Sequence, residues 1–177
     1  GANTKVYGSA FYPFDLGSGG YDTGTGIGGG AIAIIANGTV SVNGSILAQG
    51  LSGSLSGGSG GSIYLSATNI TGPGVLNASG GNAPGAFSNR GGGGGGRIAI
   101  YYNGTNAFNG SVYVSGGTGG TTGLSGSAVI INSLIRDLYL LSNSNGVFDA
   151  KQGINLDGSA RYDGIYWFRN VYVGDGG

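Results

Sequence analysis

The sequence predicts an all-β protein folded as a right-handed parallel β-helix, a solenoid in which the chain winds coil upon coil. A glycine run, an alternating apolar strand and a turn rich in Asn, Gly and Thr occur in that order three times. The strands begin at Ala31, Ser62 and Arg97, at offsets of 31 and 35 residues. Equivalent strands that recur once per unit of this length are typical of stacked repeats.

Each of these three strands has large aliphatic residues at its second and fourth positions, which is the period of a strand with one buried face. The inward positions are therefore Ile32, Ile34, Ile63, Leu65, Ile98 and Ile100. The positions between them, Tyr64 and Ala99, are predicted to point outward.

A second strand follows in each unit, at residues 46–48, 76–78 and 112–114. The same alternation predicts an inward face and an outward face for it. The inward residues are Ile46, Ala48, Leu76, Ala78, Val112 and Val114, and the outward residues are Leu47, Asn77 and Tyr113.

Helix is disfavoured throughout because 44 of the 177 residues are glycine, and glycine costs about 1 kcal/mol per helical position relative to alanine. The alternative to a solenoid is a β-sandwich built from hairpins. Asn-Gly pairs favour it, because they are preferred residues of tight hairpin turns. The repeat length favours the coil.

The chain divides into three regions that differ in composition and residue pattern. Residues 1–30 form an N-terminal segment that leads into the helix or lies at its edge, where Pro13 argues against a central ladder position. Residues 31–132 contain the glycine-rich β-helix repeats. Residues 133–177 form a distinct C-terminal β segment, which is interpreted as a cap or a contact between subunits.

Composition excludes several classes of partner. The formal net charge is zero and only 8% of residues are charged, so nucleic acid is not expected to bind. The sequence contains no run of about 20 apolar residues, so no membrane helix is predicted. Cysteine, methionine and histidine are absent, which suits an extracellular or cell-surface location without disulfides.

Catalytic chemistry is also disfavoured. There is no Glu or His, and no carboxylate side chain between Asp22 and Asp137, whereas glycoside hydrolysis ordinarily needs a pair of carboxyl groups. The prediction is a protein that is not an enzyme and has no cofactor, no catalytic residues and no metal site. Asp149, Asp157 and Asp163 could converge to hold Ca²⁺, but Asp157-Gly and Asp163-Gly are more simply explained as turns.

Six Asn-x-Ser/Thr sequons occur, all in the repeats, and they make N-linked glycosylation a candidate modification. In four of them Asn precedes Gly, so a corner turn is the simpler alternative. The six candidates are Asn37, Asn43, Asn69, Asn77, Asn103 and Asn109.

Aromatic side chains are a second candidate feature. Tyr64, Tyr113 and the cluster Tyr166, Trp167 and Phe168 could stack on sugars or form an interface between subunits. Strand packing and subunit contacts are the favoured alternative, because aromatics are common in strands and at interfaces.

Residues 57–65 and 91–102, with the sequences GGSGGSIYL and GGRIAIYY preceded by four further glycines, resemble the glycine-rich parallel β-helix repeats of very large secreted or cell-surface proteins of bacteria and archaea. The resemblance covers about residues 15–132. It implies an adhesin, surface-layer or fibre role at the cell surface, and it supplies no catalytic motif.

The expected function is that of a non-enzymatic extracellular structural protein, a fibre subunit that forms a homopolymer end to end and carries covalent glycans. An adhesin-type binding module that recognises glycans or a surface is the alternative. A polysaccharide-processing β-helix enzyme is the least favoured reading.

Overall fold

The computed structural model describes residues 8–21, 25–85, 90–141, 153–154, 160–161 and 168–174. Within these ranges the chain forms strands and no helix, which confirms the all-β prediction. The repeats contribute β1 (Ala31–Ile35), β2 (Thr39–Ser41), β3 (Ser45–Leu47), β4 (Ser62–Ala67), β5 (Asn69–Gly72), β6 (Val75–Asn77), β7 (Arg97–Tyr102), β8 (Asn106–Phe108) and β9 (Ser111–Tyr113). They are followed by β10 (Ser127–Asn132), β11 (Asp137–Leu141), β12 (Gly153–Ile154), β13 (Ala160–Arg161) and β14 (Asn170–Gly174).

The repeats stack as a parallel β-helix, as predicted. First strands pair in the order β1-β4-β7-β10, second strands as β2-β5-β8 and third strands as β3-β6-β9, all in parallel. Ala31 pairs with Ser62, Ser62 with Arg97, and Arg97 with Ser127. The chain therefore completes coil 1 (31–61), coil 2 (62–96) and coil 3 (97–126), and β10 opens a fourth coil.

The Asn-Gly pairs form corners rather than hairpins. Asn37-Gly38 connects β1 to β2, and these strands pair with the next coil instead of with each other. The middle strand of each coil (β2, β5 or β8) was not predicted from the sequence, so the strand predicted as the second of each unit is the third strand of the coil. The middle strands supply Val40, Ile70 and Phe108 to the interior.

The interior is filled by the predicted aliphatic residues. Ile63, Leu65, Leu76, Ile98 and Ile100 have no exposed surface, and they form one cluster along the axis. The alternation read from the sequence is confirmed for the first and third strands of the coils. Leu47 and Tyr113, which were predicted to face outward, are exposed.

Each coil continues beyond its third strand into a glycine arm, which consists of an outward limb and a return limb. The outward limbs are residues 48–53, 78–83 and 114–118, and the return limbs are residues 57–61, 91–96 and 121–126. Gly57 and Gly60 donate hydrogen bonds to carbonyls of the next coil, whereas Gly58 and Gly61 donate to the outward limb of their own coil. Glycines that donate to the same neighbour are therefore three residues apart in the return limb. Three residues per turn is the period of a polyproline II helix.

Glycine is required in the arms because backbone packs on backbone. A Cβ built on Gly61 would collide with the carbonyl oxygen of Gly30, one on Gly96 with that of Gly61, and one on Gly126 with that of Gly96. These residues form one column, and each lies against the coil that precedes it. Gly30, which directly precedes coil 1, has no atom within 4 Å of its built Cβ.

The sheet that contains β1, β4, β7 and β10, called the long sheet below, is covered on its outer face by the N-terminal segment. This corrects the expectation that Tyr64 is exposed. Tyr64 points away from the interior as predicted, but it is 8% exposed because Tyr12 and Phe14 pack on it. Ala99 is fully buried under the same segment. The Tyr101 hydroxyl donates a 2.9 Å hydrogen bond to the Phe11 carbonyl.

The C-terminal segment extends the long sheet. β11 pairs antiparallel with β10, and β14 pairs in parallel with β11. The resulting order is β1-β4-β7-β10-β11-β14, with β1 and β14 at the two edges. β12 and β13 pair with each other in a separate two-stranded sheet.

Replacing Gly61 by Ala is expected to destabilise the protein, because the new methyl group meets the backbone of Gly30. Overpacking of a tight site costs about 1–3 kcal/mol. Gly30→Ala is the matched control in the same column, and it should leave the stability unchanged or slightly raised, since alanine restricts the unfolded chain. Urea denaturation of both variants measures the difference, and equal stabilities would contradict the packing of the arms.

Replacing Phe11 by Ala is expected to cost about 3 kcal/mol of unfolding free energy. Phe11 is 2% exposed and packs on the outer face of the long sheet, together with Phe168. Phe14→Ala removes the same ring from a side chain that is 52% exposed, so it should cost much less. Thermal unfolding of the two variants distinguishes a covering segment from one that merely lies nearby.

Candidate functional site

No group of three or more His, Cys, Asp or Glu side chains capable of holding a metal ion occurs among the described residues. Asp149, Asp157 and Asp163, the candidate Ca²⁺ ligands, lie outside the described residues. In the part of the chain with assigned structure, no helix is long and apolar enough to cross a membrane. The candidate functional features are therefore the two ends of the solenoid, the asparagines of the sequons and the exposed aromatics.

The N-terminal end of the solenoid leaves its interior partly open. Ile32, Ile34, Val40 and Ile46 of coil 1 are only partly buried, whereas their counterparts in coil 2 are fully buried. The difference arises because coil 1 has a neighbouring coil on one side only. Among the described residues, β1, β2 and β3 are edge strands on the other side.

Two apolar side chains of the arms lie on the same end. Ile27 and Leu51 occupy columns that hold glycine in later coils: Gly58 and Gly93 follow Ile27, and Gly81 follows Leu51. Ile27 is 57% and Leu51 is 50% exposed. Side chains fit at these positions because no earlier coil lies against them, and they enlarge the apolar surface of the N-terminal end.

A shallow cleft opens beside Ile27. It is lined by residues 16–17, 19–20 and 25–30, all of them glycine except Leu16, Thr25 and Ile27. Among the described residues, no titratable group lines it. These residues offer backbone hydrogen-bonding groups and apolar contact.

The C-terminal end presents an apolar edge strand. β14 has β11 as its one neighbour within the described ranges. Its residues Val171, Tyr172 and Val173 are all exposed, Val173 by 78%. An exposed apolar edge strand is a template for pairing with another strand.

The join between β11 and β14 is fixed by a polar contact. Asp137 is 3% exposed and accepts hydrogen bonds from Arg169 at 2.9 and 3.1 Å and from the Asn170 side chain at 2.9 Å. The hydrogen bonds from Arg169 hold the pKa of the Asp137 carboxyl below its usual value, and the same contact raises the pKa of Arg169. Tyr139 and Tyr172 stack beside this contact, with ring centroids 4.7 Å apart.

The six sequon asparagines fall into two structural groups. Asn37, Asn43, Asn103 and Asn109 lie at corners between strands and are exposed. Asn69 and Asn77 lie on strands and are half-buried, and each makes side-chain hydrogen bonds to residues around it. The motif locates all six positions in the sequence, but only the coil register separates the two groups.

The aromatic candidates are partly described. Tyr166 and Trp167 lie outside the described residues. Phe168 is half-buried, and its ring centroid lies 5.7 Å from that of Phe11, so it contacts the segment that covers the long sheet. Tyr113 is 46% exposed on β9.

Comparison of the chain with protein-family models, curated proteins and solved structures finds no match.

The Asp137–Arg169 contact predicts a pH dependence of stability. Because the folded-state pKa of Asp137 is depressed, its contribution is fully present above the unfolded pKa of about 4 and is lost as the pH falls through the lower, folded-state pKa. Asp137→Asn should be less stable than the wild type at pH 7, and the gap should narrow towards pH 2. Urea titrations at a series of pH values test this, and a constant gap would contradict the role of the ion pair.

Proposed function

We propose that this chain is a non-enzymatic structural subunit of an extracellular surface fibre, that it assembles end to end into a homopolymer, and that it carries N-linked glycans. The observation that carries the proposal is the pair of uncovered ends: an open apolar coil at one end and an apolar edge strand at the other, among the described residues. A contact between two different surfaces of identical subunits generates a filament when its symmetry does not close.

The strand directions specify how such a contact would form. β1, β4, β7 and β10 are parallel to one another, β11 runs opposite to β10, and β14 follows the direction of β11. β14 therefore runs antiparallel to β1. In a head-to-tail stack, β14 of one copy would pair antiparallel with β1 of the next copy and continue the long sheet through the junction.

The surface properties support this assembly. A zero net charge with 8% charged residues gives little electrostatic repulsion between copies. β14 carries no lysine or proline among its five residues, and these are residues that commonly protect an edge strand from pairing.

Composition supports the non-enzymatic part of the proposal. The whole chain has no His, Cys or Glu, which are the side chains on which most acid–base and nucleophilic catalysis depends. The adhesin-type binding module is the alternative. Its candidate surface would be the outward column of Leu47, Asn77 and Tyr113, whose mixed chemistry offers no regular ladder.

Electron microscopy and size-exclusion chromatography of the purified chain test the assembly. The wild type should form filaments above a critical concentration. Val173→Lys places a charge on the edge of β14 and should raise that concentration roughly tenfold, the equivalent of about 1.4 kcal/mol of contact free energy.

Leu134→Lys is the matched control. Leu134 is 73% exposed and lies in the turn between β10 and β11, so the substitution adds the same charge away from both edges. It should leave filament formation unchanged. A wild-type chain that stays monomeric at high concentration would overturn the fibre and favour the binding module.

A further inference from the structure

We infer that the four corner asparagines, Asn37, Asn43, Asn103 and Asn109, are the sites of N-linked glycosylation, and that Asn69 and Asn77 remain unmodified although they lie in the same sequence motif. The inference deepens the proposed function and rests on its placement of the chain at the cell surface, because glycosylation of this motif is a property of exported proteins.

The corner sequons are open at both residues that the motif requires. All four asparagines are exposed, and the four hydroxyl residues two positions later, Thr39, Ser45, Thr105 and Ser111, are exposed as well. None of the four asparagine side chains makes a hydrogen bond to another described residue. A glycan attached at these positions would extend into solvent without breaking a contact.

The side chains of the two remaining sequon asparagines form hydrogen bonds between coils. The Asn77 side chain donates a 2.9 Å hydrogen bond to the Gln49 side chain and accepts one of 2.9 Å from the backbone N–H of Ser79. Asn77 also lies between Leu47 and Tyr113 of the adjacent coils. A sugar on its amide nitrogen would have to fit between side chains whose strands are about 4.8 Å apart.

Asn69 is held in the same way. Its side-chain oxygen accepts a 2.9 Å hydrogen bond from the backbone N–H of Thr105, and its amide nitrogen lies 3.4 Å from the Thr39 hydroxyl oxygen. Thr39 and Thr105 belong to the coils on either side. Asn69 therefore joins three coils, and a glycan on it would separate them.

Corner geometry alone does not explain the motif. At the second corner, Asn43 and Asn109 stack on either side of Pro73, and the hydroxyl residues Ser45 and Ser111 stack on either side of Val75. Coil 2 thus makes the same corner without asparagine and the same strand without a hydroxyl. At this corner the hydroxyl residue is present where asparagine is present and absent where it is not, which a turn alone does not require.

The spacing of the corner sites also suits bulky groups. The first corner has Asn37 and Asn103 on alternate coils, and the second has Asn43 and Asn109 on alternate coils. Sites on alternate coils are two strand spacings, about 9.6 Å, apart. The glycans would project sideways from both corners that flank the β2-β5-β8 sheet, and the two ends of the solenoid would stay free for assembly.

Peptide mapping by mass spectrometry of the protein isolated from its native source tests the inference. We expect glycan mass on the peptides that contain the four corner asparagines and unmodified mass on those that contain Asn69 and Asn77. Unmodified mass at all four corners would overturn it, and so would a glycan on Asn69 or Asn77.

Electron microscopy of the same sample separates this inference from the proposed assembly. Filaments whose corner peptides have unmodified mass would support the proposed fibre and contradict the glycan assignment. Isolated particles with glycans at the four corners would support the glycan assignment and contradict the fibre.

Discussion

The structure depends on hydrogen bonding between the backbones of successive coils. Every strand of the repeats is short, three to six residues, and short strands are not stable alone. Stacking in parallel, they share one ladder with coils about 4.8 Å apart. The aliphatic residues fill the interior that this ladder encloses. The glycines allow the same spacing to continue into the arms, where the positions that face a neighbouring backbone have no room for a side chain.

The glycine arms and the sheets keep the same spacing between successive coils, but they pack differently. In the sheets, side chains alternate between the interior and the outside, so the coils are held by apolar burial as well as by hydrogen bonds. In the arms, columns such as Gly61, Gly96 and Gly126 place each glycine against the backbone of the preceding coil. The pattern changes at the ends of the array. Ile27 precedes coil 1 and Leu51 lies in it, whereas Thr122 and Ser125 lie in the return limb of coil 3 at the positions that Gly92 and Gly95 occupy in coil 2.

The parallel coil and its inward residues could be predicted because both follow from local patterns. The offset between strands sets the register, and the period of two sets the buried face. The covering of the outer face of the long sheet could not be predicted in the same way, because alternation assigns Tyr64 and Ala99 to the outside without showing that residues 9–14 cover them. A signal was present in the sequence: residues 98–102 and 128–131 are uninterrupted runs of aliphatic and aromatic residues, which is typical of strands buried on both faces. Similarly, the sequence locates the six sequons, but their separation into corner and ladder positions needs the pairing of Asn69 and Asn77 with adjacent coils.

The arms have a thermodynamic consequence. Burial of apolar surface gives unfolding a large positive heat capacity change, whereas burial of polar backbone lowers it. The arms bury peptide groups against peptide groups, from Gly57 to Gly61 and from Gly91 to Gly96, with few apolar side chains between them. Their stability therefore varies less steeply with temperature than that of the aliphatic interior. A protein divided in this way has a flatter stability curve than a β-protein of the same length with a conventional core, and it keeps its fold over a wider range of temperature.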